Sequence, residues 1–302
     1  MTALDTYIAP AARRTGIWWM LLGLLIIVGL WLLGTLAVLI GWVLWQVVQL
    51  GDVDLALQQM GAFMVGGTPL TIVLILATFG GIWLGVWLAM VAIHDQSFRT
   101  ILAPDKRVHV RDLLLGIGLA VAFFLPSLVA ALVLAEPYRT ELTIGTWAVW
   151  LIPIVLLVFV QAGSEELIFR GYLLQQLGQI SRHPAVWAGV PAVGFGLLHL
   201  FNLPGIGGVY YAAVTTLMGF SFAVLVWRSG NLWSAIGLHL GNNLLGIAFI
   251  GAEGPLAGMQ FWLFPEETVV TLMPVDLAVS AVLLALLISP LGRIFGTGGK
   301  VV

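Results

Sequence analysis

The sequence predicts an all-α integral membrane protein, a polytopic bundle of about eight transmembrane helices. Hydrophobic residues make up 61% of its 302 residues and charged residues only 9%, and the mean hydropathy is +1.08. A water-soluble globule is excluded, because such domains carry about a quarter charged residues. The apolar runs are also too long and too continuous for the alternating strands of a β-barrel. Each run is therefore expected to be a helix that satisfies its own backbone hydrogen bonds.

Uncharged apolar runs of about 20 residues define the predicted spans. Eight such runs are present, at 17–47, 68–93, 113–135, 145–166, 185–200, 209–227, 231–250 and 273–290. The first run continues without a charge from Gly16 to Gly51. It is far longer than a signal-peptide core of about 7 to 15 residues, so we expect it to remain in the membrane as a span.

The charges in the connections predict the orientation. Eleven of the 12 Lys and Arg residues fall on one side of this arrangement: Arg13, Arg14, Arg99, Lys106, Arg107, Arg111, Arg170, Arg182, Arg228, Arg293 and Lys300. The other side collects Arg139 and the acids Asp52, Asp54, Glu136, Glu141, Glu253, Glu266, Glu267 and Asp276. The positive-inside rule then places both termini in the cytoplasm, and we expect a multi-pass protein of the cell membrane. The net charge of −2 gives no reason to expect a nucleic-acid partner.

The whole chain, 1–302, is predicted to form one integral membrane domain. Residues 1–144 contain helices one to three, 145–250 contain helices four to seven and the polar motifs, and 251–302 contain the last helix and the tail. Two GxxxG spacings, Gly81 with Gly85 and Gly237 with Gly241, predict close helix packing.

A few polar residues are left inside or at the edge of the spans: Glu165, Glu166, Arg170, His199, His239, Asn242 and Asn243. Each ionisable group costs a few kcal/mol in hydrocarbon, which makes such residues candidates for function. The chain has no cysteine, so disulfides, thiolate nucleophiles and Cys-based metal sites are excluded. Asn242 is interpreted as structural.

An antiparallel hairpin of helices four and five would bring Glu165 and His199 to the same level. Glu165 lies 17 residues before Arg182, in the predicted turn, and His199 lies 17 residues after it. At about 1.5 Å per residue, both lie about 25 Å from the turn. Because helix four is longer than the bilayer requires, the site is expected in the cytoplasmic half.

Helical spacing groups the remaining polar residues. Asn243 is at i+4 from His239 and shares its face. Glu166 is at i−4 from Arg170, which suits an ion pair. Glu165 points about 100° away from Glu166 and is left to face a cavity.

Three segments carry a family resemblance: EELIFR at 165–170, FGLLH at 195–199 and HLGNN at 239–243. They resemble the EExxxR, FxxxH and HxxxN motifs of the CPBP family of intramembrane glutamic endopeptidases. That family includes the Ras-converting CAAX endopeptidases and bacteriocin-processing or immunity proteins. The resemblance covers roughly residues 145–250, and the arginine after helix six, Arg228, also fits the family pattern.

The resemblance implies an endopeptidase without cofactor or metal. Glu165, assisted by His199, would activate a water, and His239 with Asn243 would stabilise the oxyanion, while Glu166 and Arg170 would support them. The implied substrate is a membrane-embedded or lipid-modified peptide, of the prenylated CAAX type or bacteriocin-like, in contact with the lipid bilayer. The oligomeric state stays open.

Three other functions remain open from the residues alone. Glu165, His199 and His239 form an acceptable zinc set for a membrane metalloprotease. The same groups would serve as a proton or ion relay in a transporter, although the halves lack evident inverted repeats. In a peptide-binding scaffold or immunity protein, the motif residues would have structural roles only.

Overall fold

Eight longer helices dominate the computed structural model, which describes residues 2–298. They are α1 (Ile17–Leu50), α2 (Pro69–Ile93), α3 (Val110–Leu134), α4 (Ile144–Ile180), α5 (Ala185–Leu197), α6 (Gly205–Ser229), α7 (Trp233–Ala248) and α8 (Glu266–Ile288). Six of them are long and apolar enough to cross a membrane, which confirms the all-α polytopic fold. Because α5 and α7 are shorter, the count of eight spans stays a prediction, as does the cytoplasmic location of the termini. Lys300 lies outside the described residues.

Short helices occupy many of the connections and ends. They are Ala3–Ile8, Ala9–Arg13, Val53–Gln58, Met60–Val65, Arg99–Leu102, Ala257–Met259 and Pro290–Phe295. Within the longer helices, α2 is divided into Pro69–Ala77, Gly80–Leu88 and a π-helical turn Ala89–Ile93. The segment between α1 and α2, to which the sequence assigned no structure, thus contains two helices of six residues each.

A small sheet closes one end of the bundle. Its strands are β1 (Tyr138–Arg139), β2 (Ile250–Ala252) and β3 (Trp262–Phe264), in the order β1-β3-β2. Strand β3 is antiparallel to β1 and parallel to β2. The sequence did not predict these strands, because two or three residues are too few to show an alternating pattern.

Several arginines that the sequence assigned to the basic side lie at the opposite end of the bundle. Arg13 donates to the Asp95 carbonyl at 2.8 Å, and Arg182 pairs with Asp5 at 3.3 Å. Buried Arg228 donates to three carbonyls at the end of α8, at 2.6 to 2.9 Å. A helix leaves its last carbonyls without intrahelical partners, so Arg228 acts here as a cap for α8.

The N-terminal helix supports α4 from this basic end. The Tyr7 hydroxyl donates to the Ile101 carbonyl at 2.7 Å and to the Arg170 carbonyl at 3.2 Å. In return, the Gln175 amide donates to the Tyr7 carbonyl at 3.0 Å. Tyr7 is fully buried, and this burial raises its pKa above the ordinary value. It therefore remains a neutral hydrogen-bond donor over the physiological pH range.

Glycines let neighbouring helix backbones approach closely, as the GxxxG spacings predicted. A side chain at Gly237 would overlap the backbone of Leu113 in α3, and Gly241 makes a similar approach one turn later. Gly81 and Gly85 of α2 lie against the backbone of α1 in the same way. Both predicted close contacts are confirmed, and small residues are the usual means of helix association in membranes.

Gly116→Ala tests the packing of α3 against α7. The added methyl group would overlap the Ser234 carbonyl and the Leu238 nitrogen. Overpacking of this kind costs about 1–3 kcal/mol, so we expect Tm of the purified protein in detergent to fall by roughly 2 to 10 °C.

Gly118→Ala, two residues along the same helix, is the matched control. A Cβ at Gly118 has no atom within 4 Å. Since alanine is also the better helix former, this variant should melt at the wild-type temperature or slightly above it. Equal melting temperatures for the two variants would contradict the close approach of α3 and α7.

Candidate active site

The two glutamates and the arginine of the first motif lie where α4 changes its helical form. The α-helical part ends at Glu166, and Leu167–Leu173 forms a π-helical segment that contains Arg170. Insertions of π-helix often mark functional sites, because the wider turn redirects the side chains. The sequence predicted a continuous helix here and did not predict this change.

Glu166 and Arg170 form a buried ion pair. Arg170 Nη1 lies 3.0 Å from Glu166 Oε1, and both side chains are fully buried, so the predicted i,i+4 pair is present. The guanidinium Nε and Nη2 have no hydrogen-bond acceptor among the described residues. Instead, the guanidinium carbon lies 4.5 Å from the ring centre of Phe195 and 4.8 Å from that of Phe222. These cation–π contacts stabilise a charge that the membrane does not solvate.

His239 connects the glutamates to α7. Its Nδ1 lies 2.8 Å from Glu166 Oε1, the same oxygen that accepts from Arg170. Its Nε2 lies 3.4 Å from Glu165 Oε2. The imidazole is stacked on Phe222 at 5.1 Å, which fixes its plane. A carboxylate only accepts hydrogen bonds, so Nδ1 is protonated.

Gln161 is a site residue that the sequence analysis missed. Its amide nitrogen donates to Glu165 Oε1 at 2.7 Å, and its amide oxygen accepts from Asn243 Nδ2 at 2.8 Å. Gln161 thereby connects two of the predicted catalytic residues across the α4–α7 interface. The available signal was its position at i−4 from Glu165 within an otherwise apolar run.

His199 follows the end of α5 and is held by its own helix. Its Nδ1 lies 2.8 Å from the Phe195 carbonyl oxygen. A carbonyl oxygen accepts, so Nδ1 carries the proton and Nε2 of the neutral ring has a free lone pair. The ring packs between Phe195, at 4.7 Å, and Tyr211, at 5.9 Å.

One cavity of about 650 Å³ brings the predicted catalytic residues together. Glu165, His199, His239 and Asn243 all line it, whereas Glu166 and Arg170 do not. The hydrogen-bonded neighbour of Glu165 is Gln161, with His239 next to it; His199 shares the cavity with Glu165 without being its hydrogen-bond partner.

The cavity extends from these residues to the sheet end of the bundle. Its wall there includes Ile250, Gly251 and Phe264 of strands β2 and β3. Most of the wall is apolar, and Lys and Arg are absent from the residues that line it. The cavity therefore suits a largely apolar ligand with a polar group near Glu165.

Asp276 requires a correction. The sequence analysis grouped it with the charges on the side opposite the termini, but it lies within α8 and lines the cavity. The reason is that α8 begins at Glu266, seven residues before the predicted start at 273. Asp276 therefore lies well inside the helix rather than near its edge.

A catalytic zinc site requires three protein ligands around one metal ion. Within residues 2–298, no group of three His, Cys, Asp or Glu side chains is arranged to hold a metal ion. Glu165 and His239 are neighbours, but the Nδ1 of His239 is engaged by Glu166.

Comparisons with known proteins agree with the motifs. Residues 145–245 match the family model described as type II CAAX prenyl endopeptidase Rce1-like. The chain is also similar to the uncharacterized protein YyaK of Bacillus subtilis (strain 168), with 27% identity over 265 residues, 84% of this chain and 85% of the relative. No solved structure matches. The matched segment contains all three motifs and every residue predicted to be catalytic, so this part of the chain is similar to the Rce1-like type II CAAX prenyl endopeptidases.

Proposed function

We propose that this protein is an intramembrane endopeptidase of the glutamic type, which hydrolyses membrane-embedded or lipid-modified peptides. The match of residues 145–245 to the Rce1-like family model supports protease activity in general. The observation that carries the finer proposal is the position of Glu165, His199, His239 and Asn243 on the wall of one cavity. The apolar remainder of that wall suits a prenyl group or apolar side chains.

Glu165 and His199 activate the water in this proposal. The Glu165 carboxylate accepts one hydrogen bond from Gln161 and has lone pairs to spare, and its side chain is 17% exposed. His199 Nε2 has a free lone pair because Nδ1 donates to Phe195. A water bonded to both acceptors loses a proton to Glu165 as its oxygen attacks the peptide carbonyl.

His239 and Asn243 stabilise the resulting oxyanion. The Nδ1–H of His239 is engaged by Glu166, so donation from Nε2 requires the doubly protonated ring. At 3.4 Å from Glu165, Nε2 is too far for a strong hydrogen bond, and its N–H is therefore available to the substrate. Asn243 Nδ2 donates one hydrogen to Gln161 and has a second for the same oxyanion.

The charges balance in this state. Two carboxylates, Glu165 and Glu166, face two cations, Arg170 and protonated His239, so the cluster is neutral before water is deprotonated. Glu165 then returns the proton to the leaving amine nitrogen as the C–N bond breaks. The products are a carboxylic acid and an amine, with one water consumed.

Glu165→Gln tests the base directly. The amide has nearly the same shape but does not accept the proton, so we expect cleavage of a panel of prenylated and apolar peptides to fall by at least about a hundredfold. His199→Ala should also reduce kcat strongly, because the second water acceptor is lost. Each assay uses purified protein, with and without a strong zinc chelator.

Glu253→Gln is the control for Glu165→Gln, since Glu253 is exposed and lies outside the cavity wall. Cleavage that survives the chelator and disappears only in the site variants supports the glutamic mechanism. Chelator-sensitive cleavage that zinc restores would contradict it in favour of the metalloprotease. Unchanged activity of Glu165→Gln would exclude this residue as the base.

Arg170→Met tests the buried ion pair. Removing the cation leaves Glu166, which is fully buried, with one neutralising partner fewer. Breaking such a pair costs about 3–5 kcal/mol, and we expect a Tm lowered by roughly 10 °C together with loss of activity.

Arg182→Met is the matched control. Arg182 also forms an ion pair, with Asp5, but its side chain is 55% exposed. Exposed pairs contribute about 0–1 kcal/mol, so this variant should melt within about 2 °C of wild type. If Tm fell by a similar amount in both variants, burial would not explain why the Arg170 ion pair is stabilising.

A further inference from the structure

Asp276 is a carboxylate inside a membrane span that peptide hydrolysis, as proposed above, leaves unused. It lies in α8 and lines the same cavity as Glu165. Ser127 of α3 lines the same cavity. Ionisable groups in membrane spans are energetically costly and normally face a cavity or a partner charge. The position of Asp276 on this wall therefore makes it a candidate for binding a ligand.

A cationic partner for Asp276 is lacking within the described chain. The ion pairs among residues 2–298 involve other carboxylates. The cavity wall carries two carboxylates, Glu165 and Asp276, and no Lys or Arg. Glu165 has His239 beside it, whereas Asp276 has no ion-pair partner among residues 2–298. A negative charge on Asp276 is therefore not neutralised by a cation of the described chain.

Gln260 adds a second acceptor to this wall. It is 5% exposed and lines the cavity, and its amide nitrogen donates to the Gly246 carbonyl. Its amide oxygen is buried and has no hydrogen-bond partner among residues 2–298. Buried acceptors are normally satisfied, so an unpaired oxygen on a cavity wall indicates a missing donor. Asp276 and Gln260 line the same cavity, and each suits a ligand group that brings N–H donors.

We propose that Asp276 forms a specificity subsite for a basic side chain, Lys or Arg, of the peptide substrate. The long stem of such a side chain matches the apolar wall, and its charged end pairs with Asp276. The inference rests on the proposed endopeptidase function and adds a substrate class to it: apolar peptides with a basic residue near the cleaved bond.

The test compares peptides that differ at one position. Each position on both sides of the cleaved bond carries Lys, norleucine or Glu in turn; norleucine has a similar aliphatic stem without the charge. The proteins are wild type, Asp276→Asn, Asp276→Lys and the control Asp54→Asn, which changes an exposed acid outside the cavity wall. The measured quantity is the ratio of kcat/KM for the Lys and norleucine peptides.

We expect wild type and Asp54→Asn to prefer Lys over norleucine about tenfold at one position. In Asp276→Asn this ratio should fall to about one, and in Asp276→Lys the Glu peptide should become the preferred one. A Lys preference that persists in Asp276→Asn overturns the proposal. So does a loss of cleavage that is equal for all three peptides, which would indicate a structural role.

Binding separates this inference from the proposed function. Fluorescence anisotropy with labelled Lys and norleucine peptides is measured on Glu165→Gln with and without Asp276→Asn. If wild type cleaves no peptide, the endopeptidase proposal fails, yet tighter binding of the Lys peptide that requires Asp276 still supports the subsite. Equal affinities for the two peptides, or no measurable binding, overturn the subsite.

Discussion

The shared oxygen of Glu166 is the contact on which the rest of the site depends. Oε1 accepts from Arg170 at 3.0 Å and from His239 at 2.8 Å, and so connects α4 to α7 through a single atom. All three side chains are almost completely buried, where an unpaired charge would be strongly destabilising. The Glu166 carboxylate is therefore stable in this position only with both donors present. Its bond to His239 fixes the position of the imidazole.

His199 and His239 differ in the group that accepts a hydrogen bond from Nδ1. Phe195 gives His199 a neutral acceptor and leaves its Nε2 lone pair available, whereas Glu166 gives His239 a carboxylate acceptor that it shares with Arg170. Phe195 and Phe222 both contact His239 and the guanidinium of Arg170. In the proposed mechanism, the same residue type thus provides a proton acceptor at His199 and an oxyanion donor at His239.

The sequence predicted what depends on one helix, and it missed what depends on two. The Glu166–Arg170 pair and the glycine contacts follow from i,i+4 spacing, which any helix imposes. Phe222 and Asp276 line the cavity only through the register between helices, which no single apolar run reveals, and the bond from Asn243 to Gln161 depends on the same register. The orientation prediction rests on loop charges, so it is independent of that register and tells nothing about which helix faces the cavity.

Helix α7 shows how the packing and the chemistry are coupled. Gly237 and Gly241 lie against α3, while His239 and Asn243, each two residues further on, are rotated by about 200° and face α4. The absence of side chains on one face therefore sets how far the catalytic side chains on the other face reach toward Glu166 and Gln161. A displacement of α7 by the width of a methyl group would lengthen hydrogen bonds that now measure 2.8 Å. Close glycine packing, which looks purely structural in the sequence, thereby determines the position of the two side chains proposed to bind the oxyanion.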